Sequence, residues 1–333
     1  MGIYSPSFRS ILVLLFLLSG QINYVFGQKK ELTLEDAVLK QYSKFHPERL
    51  WMLQWIPNTD SYSFIKMEGK SQTLVVHNVE NEESKDLFSL EQLSELIKPE
   101  IPLRVLPQIS WINANSFSAS IDNEYYKINI TEPKAELKFS IPQEASEITF
   151  NNDFSACAFV LDHNLYYLME NGTQIQITSD GKPGIVYGQA VHRSEFGIQS
   201  GLFWAPNNNK LAFYRMDETM VEDYPLVDIS TQPASLQSIK YPMSGRTSHH
   251  VTLGVFDPQK STTVYMKTGE PKDKYLTSIT WSPKSDEVYI GLLNRDQNQL
   301  QLNRYKASTG SLSKTLFEEA DNEYVEPEHQ LWF

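Results

Sequence analysis

The sequence predicts an all-β fold, a β-propeller of four-stranded blades, with a short helix near its N-terminal end. Three observations carry this. Short strand-like runs recur in sets, separated by polar turns. In five sets an aromatic closes the first strand (Trp55, Trp111, Phe150, Trp204, Trp281), a Pro or Asn turn follows, and an apolar strand begins. Aromatics are plentiful, with 17 Tyr, 17 Phe and 6 Trp, as stacked blades with two apolar faces require. A β-sandwich would not need the same aromatic-turn opening in every set.

The elements follow in order. Residues 1–27 have the layout of a secretory signal peptide: a leader with Arg9, the apolar run "ILVLLFLLSG", and a small-residue exit at "VFG". The run is too short to span a bilayer, and cleavage is expected near Gly27. The mature chain is therefore expected to be secreted or periplasmic, with no membrane span. In residues 28–47, "ELTLEDAVLKQYSKF" reads as a short helix capped by Thr33 and Asp36, with Leu34, Ala37, Val38 and Tyr42 on one face. The propeller is assigned to residues 48–333. Within it, "SLEQLSELI" after Phe88 repeats the capping-box pattern from Ser89. The clearest set is Thr277 to Phe317, where runs at Thr277–Trp281, Val288–Asn294, Gln299–Tyr305 and Leu312–Phe317 alternate with polar turns. These make an antiparallel meander. The five sets, with a sixth beginning near Glu326, give five to six blades of a propeller.

Composition narrows function. The formal charge of −12 gives no basic face for replacing counterions on phosphate, so no nucleic-acid partner is expected. Cys157 is the single cysteine, which excludes an intrachain disulfide and reads as a small buried hydrophobe. The adjacent His249 and His250 would point to opposite faces of a strand and cannot share one metal, so no metal or cofactor site is assigned. No nucleophile is assigned either. The nearest imitation of a G-x-S-x-G elbow is "GIQSG", where Ser200 stands one position too late and outside a strand–turn–helix context.

One stretch stands apart. In "AVHRSEFGIQSGLFWAP" the carboxylate of Glu195 sits between a His192-Arg193 pair and a Phe196-Gly197 step. It is either a solvated loop charge paired with Arg193 or a hook for a cation.

Several ordered motifs bear on that choice: "AVHRSEFGIQSGLFWAPNNNKLAFYRMDETMV", "YPMSGRTSHHVTLGVF", "TGEPKDKYLTSITWSP" and "YVEPEHQLWF". Together they resemble the N-terminal propeller of the dipeptidyl peptidase IV family of serine exopeptidases, and within it the bacterial prolyl tripeptidyl peptidase branch. The likeness runs from about Glu31 onward. It implies an eight-bladed propeller paired with a C-terminal α/β-hydrolase domain that holds Ser, Asp and His. That domain is absent from these residues, so the chain is expected to be an incomplete propeller, inactive alone. The implied partners are peptide substrates with a free N-terminus and the hydrolase domain, with room for a homodimer of the complete enzyme. In dipeptidyl members a Glu-Glu pair before Phe binds the substrate's α-amino group. The motif falls here on Ser194-Glu195-Phe196, so only Glu195 carries that role over. Ser194 departs from the pattern, which leaves release of dipeptides or tripeptides open. The competing reading is a standalone secreted propeller that binds a protein or peptide without catalysis.

Overall fold

Along "ACAFVL" the side chains alternate between two apolar layers, and this alternation sets the architecture. The computed structural model describes residues 31–47 and 49–333; the expected signal peptide lies outside them. These residues form two compact units that divide at Arg49 and Leu50.

The first unit contains α1 (Leu34–Leu39), whose Thr33 hydroxyl accepts the Asp36 amide in a capping box. Lys40 closes an ion pair with Asp36 at 3.0 Å. The apolar face expected on this helix is not buried within the unit: Leu34, Val38 and Tyr42 are all exposed.

The second unit is all-β apart from α2 (Leu90–Ile97), again capped as a box by Ser89 and Gln92, and one short turn discussed below. Four sheets are simple antiparallel meanders. The first holds β1 (Trp51–Trp55), β2 (Ser61–Glu68), β3 (Ser71–Asn78) and β4 (Ser84–Ser89). The second holds β5 (Gln108–Asn113), β6 (Ser116–Ile121), β7 (Glu124–Asn129) and β8 (Lys134–Ser140). The third holds β9 (Ser146–Phe150), β10 (Ala156–Leu161), β11 (Asn164–Met169) and β12 (Gln174–Gln176).

The fourth sheet departs from the pattern. It joins β13 (Ile185–Tyr187), β14 (Leu202–Trp204), β15 (Leu211–Asp217), β18 (His250–Asp257) and β19 (Thr262–Tyr265), with the separate hairpin β16 (Asp223–Asp228) and β17 (Ser235–Lys240) inserted between β15 and β18. The fifth sheet returns to the meander with β20 (Tyr275–Trp281), β21 (Glu287–Leu293), β22 (Gln299–Lys306) and β23 (Leu312–Ala320). No strand forms beyond Ala320, so the further set expected near Glu326 is not seen.

The sheets stack in chain order, because each apolar layer is shared by consecutive sheets. On β10, Cys157 and Phe159 enter the layer with Phe139 of the second sheet, while Ala158 and Val160 enter the layer with Leu211 and Phe213 of the fourth. On β15, Leu211 and Phe213 face the third sheet, while Ala212 and Tyr214 face Ile290 and Tyr305 of the fifth. A strand buried on both faces is near-continuously apolar, which is how these segments read.

The aromatics that close first strands also link sheets. Trp111 Nε1 donates to Ser63 Oγ of the first sheet at 2.7 Å. Trp281 Nε1 donates to the Phe203 carbonyl of the fourth sheet at 2.9 Å. Cys157 is fully buried, and burial pushes its thiol up to about 12.

Packing at the centre of the fourth sheet leaves no slack. A Cβ on Gly254 would come within 2.6 Å of the Phe213 ring, whose side chain is itself fully buried. Gly254→Ala is therefore expected to destabilise the chain by about 1–3 kcal/mol through overpacking. Denaturant unfolding checks this, and an unchanged midpoint would show that the layer has room to give.

Candidate functional site

The site grows from a break in an edge strand. Both β13 and β14 pair antiparallel with β15, β13 along Arg215–Asp217 and β14 along Leu211–Phe213. Tyr214 stands at the junction. Its carbonyl accepts the Gly188 amide at 3.0 Å, and its amide donates to the Gly201 carbonyl at 2.9 Å. The chain leaves the ladder at Gly188 and returns at Gly201, so the residues between form a loop with touching ends, an Ω-type excursion.

Two glycines close its neck. Gly188 has φ +70°, and a Cβ on Gly201 would lie 2.1 Å from the Gln189 carbonyl oxygen. No other residue permits so close an approach.

At the loop's tip His192, Arg193 and Ser194 form a tight left-handed turn with φ of 54°, 58° and 62°. Phe196 at 57° and Gly197 at 69° continue in the same region. Glu195 between them is extended, at φ −69° and ψ 166°. Left-handed conformation costs a non-glycine residue about 1–2 kcal/mol, so four such residues within five need external anchors.

Both flanks of Glu195 are anchored. On one side the Phe196 ring lies 5.0 Å from Tyr275 and packs against a cluster that includes Leu293, Leu300 and Val325. Gly197 then passes so close to the Glu328 carbonyl that a Cβ would lie 2.1 Å from its oxygen. On the other side His192 is 4% exposed. Its Nδ1 lies 2.9 Å from His249 Nε2, and its Nε2 accepts the Leu276 amide at 3.1 Å.

Glu195 itself is exposed and lines a cavity of about 600 Å³. Arg193, Arg246 and Arg295 line it as well, as do Asp273 and Asp296. The expected alternative pairing of Glu195 with Arg193 does not form. Instead the Arg193 guanidinium sits 5.1 Å above the Tyr241 ring. Arg246 pairs with Glu222 at 3.5 Å, and Arg295 stacks 5.4 Å from the Tyr275 ring and donates to its hydroxyl. Among the described residues, no cation comes within ion-pair distance of Glu195. An unpaired carboxylate at a cavity wall can accept a charge-assisted hydrogen bond from an incoming ammonium.

Other residues singled out from sequence have structural roles. Ser200 Oγ accepts the Leu202 amide and donates to the Leu202 carbonyl, with no helix following. His249 precedes β18 rather than lying within it and turns inward to His192, whereas His250 is only half-buried. That histidine pair joins residues 57 apart in sequence, a distance over which local patterning carries no signal.

Burial holds both imidazoles neutral. It pushes His192 well below the usual imidazole value, aided by the neighbouring His249 and Arg295. It lowers His249 from 6.5 to about 4, aided by Arg295 and Arg193. The unfolded chain then binds protons that the folded chain refuses between these values. Their stabilising contribution is complete above about pH 6.5 and declines as pH falls, by up to about 1.4 kcal/mol per pH unit for each histidine. Unfolding midpoints measured between pH 7.5 and 5 should fall in the parent and fall less steeply in His249→Gln. Parallel profiles would mean that the pair does not titrate as its burial demands.

Similarity to known proteins bears on the fold and the family. A family profile for the dipeptidyl peptidase IV N-terminal region matches residues 110–333. Dipeptidyl-aminopeptidase B of Aspergillus niger is 23% identical over 358 residues, which cover 95% of this chain and 39% of that protein. A Bacteroides ovatus structure assigned as a dipeptidyl aminopeptidase IV superposes with a TM-score of 0.74 at 32% identity, covering 85% of this chain and 39% of the other. The Porphyromonas gingivalis dipeptidyl peptidase 4 structure, 20% identical, shares the fold with a TM-score of 0.70, covering 90% of this chain and 44% of its own. The chain thus spans about two fifths of the length of these relatives. With two thirds of its residues matched by that profile, the chain belongs to the dipeptidyl peptidase IV family, of which it carries the N-terminal region.

Proposed function

We propose that this chain is the substrate-anchoring and gating part of an exported serine exopeptidase that releases di- or tripeptides after proline. Residues 48–333 act as five to six blades of a propeller, and a C-terminal α/β-hydrolase domain supplies the nucleophile. The stacking of sheets in chain order, each pair sharing one apolar layer, supports the propeller reading. Export rests on the signal-peptide layout of residues 1–27.

The observation that carries the functional reading is Glu195. It is the exposed, unpaired carboxylate on the strained tip of a loop, presented to a cavity of about 600 Å³. It binds the protonated α-amine of the substrate. A fixed amine sets how far the peptide reaches toward the nucleophile, at roughly 3.3–3.6 Å per extended residue. That distance makes the enzyme an exopeptidase, because a chain without a free terminus in register gains no anchor. Ser194 offers a hydroxyl where dipeptidyl relatives are expected to place a second carboxylate, and this fits the prolyl tripeptidyl branch.

Glu195→Gln in the complete enzyme tests this. The change keeps the shape and removes the charge, so kcat/KM for a free-amine proline peptide should fall roughly ten- to hundredfold, the equivalent of about 1.5–3 kcal/mol. The N-acetylated form of the same peptide lacks the cation and should be a poor substrate that the mutation barely alters. A ratio of free-amine to acetylated rates that is the same in parent and variant would make Glu195 an ordinary loop charge.

A further inference from the structure

We propose that the buried His192–His249 pair positions Glu195, locking the left-handed turn so that its carboxylate meets the substrate amine; this rests on the reading of Glu195 given above. The geometry leaves little else for the pair to do. A turn with His192, Arg193, Ser194 and Phe196 all at positive φ does not hold itself. Phe196 is pinned by apolar contact with Tyr275, which resists withdrawal of the ring but not rotation of the turn about it. Backbone bonds close the turn on itself, from the Ser194 amide to the Val191 carbonyl, from Glu195 to His192 and from Ile198 to Glu195. The side-chain hydrogen bonds that tie it to other elements and restrain that rotation are on the His192 side.

The protons can be placed by elimination. The Leu276 amide can only donate, so His192 Nε2 accepts. A neutral His192 then carries its proton on Nδ1 and donates to His249 Nε2, which places the His249 proton on Nδ1. The rings lie 4.9 Å apart at 30°, with Tyr275 edge-on to His192 at 5.0 Å. The same Leu276 residue accepts the Tyr214 hydroxyl at 2.7 Å, and Tyr214 is the residue that holds the loop's neck. One set of bonds thus ties the tip of the loop, its neck, the chain entering β18 and the strand β20. The Arg193 and Arg295 guanidiniums face the pair, as does the half-buried His250 beside it. With cations on these sides, a third positive charge on either imidazole is opposed. Protonation of His249 would also set its Nε2–H against the His192 Nδ1–H at 2.9 Å, and protonation of His192 would set its Nε2–H against the Leu276 amide at 3.1 Å. The pair therefore works as a neutral, singly oriented link.

The decisive comparison is kcat/KM for the free-amine and N-acetylated forms of one proline peptide, in the complete enzyme. His249→Phe removes the acceptor and keeps the ring, and it should lower the free-amine to acetylated ratio by about tenfold. Adding Glu195→Gln to it should lower the ratio further by clearly less than Glu195→Gln does in the parent, since a misplaced carboxylate has less left to lose. His249→Gln restores an acceptor oxygen near Nε2 and should recover the ratio to within about threefold of the parent. A fold-stabilising role alone would lower both rates together and leave the ratio unmoved. If Glu195→Gln lowers the ratio while His249→Phe leaves it at the parental value, Glu195 stands and the positioning role is wrong. If Glu195→Gln itself changes nothing, both readings are wrong. Should His249→Phe not fold, His192→Gln replaces it in every comparison, because its amide oxygen can keep the Leu276 bond while breaking the link to His249.

Discussion

Strands such as β10 and β15 are buried on both faces, and the rest of the molecule follows from this constraint. Cys157 and Phe159 belong to one layer, Ala158 and Val160 to the next, and neither set can be left to water. Each sheet must therefore be covered twice, and stacking in chain order does this with the shortest connections. The indole nitrogens of Trp111 and Trp281 then fix neighbouring sheets at one offset, because each reaches a single acceptor across the layer. Where no neighbour covers a face, the apolar groups remain exposed, as Trp51, Leu53 and Trp55 are on β1. Strand edges are the second consequence. A meander has two, and in the fourth sheet one of them is interrupted to make the loop from Gly188 to Gly201.

That interruption ties the candidate site to the fold. A loop leaving from the middle of a strand inherits the rigidity of the ladder on either side, since Tyr214 bonds both of its ends. Its tip is costly in backbone terms, with four non-glycine residues in left-handed conformation. The cost is met by burial of the His192 side chain and packing of the half-buried Phe196 ring on either side of a residue that is itself exposed. Strain of this kind persists only where the surroundings over-determine the geometry, and such places are commonly sites of binding. Glu195 is the one extended residue of the run, held between two fixed neighbours.

Much of the repeat was legible because it depends on local periodicity. The set from Thr277 to Phe317 matches β20 to β23 to within a few residues at each end, and both capping boxes form at Thr33 and Ser89. Glu195 was legible only through its neighbours in the motif. What escaped was non-local or conformational. The split into β13 and β14 leaves no mark in hydrophobic pattern, as both are short apolar runs. The left-handed turn carries no signal, since His, Arg and Ser rarely adopt positive φ and the reason they do here lies in tertiary contacts. The His192–His249 bond joins residues 57 apart in sequence, and the His192–Leu276 bond runs from the loop of the fourth sheet to the fifth. The apolar stripe of α1 marks what that helix can bury, and periodicity alone does not say what covers it.

The charges around Glu195 bear on what kind of ligand the cavity suits. The chain as a whole carries −12, yet the cavity wall is mixed, with Arg193, Arg246 and Arg295 beside Glu195, Asp273 and Asp296. A uniformly acidic wall would attract any cation, lysine side chains included, and would discriminate poorly. A peptide terminus is dipolar at close range: one ammonium, then carbonyl oxygens that accept hydrogen bonds. A free carboxylate answers the first, and guanidiniums not already committed to carboxylates answer the second. Arg193 and Arg295 fit that description, since each is held by an aromatic ring rather than by an acid. Stacking on Tyr241 and Tyr275 fixes where they are while leaving their outer N–H groups available. Under the proposed function, a free N-terminus would be favoured over a lysine side chain or an internal peptide because only it offers an ammonium to Glu195 next to carbonyl oxygens within reach of Arg193 and Arg295.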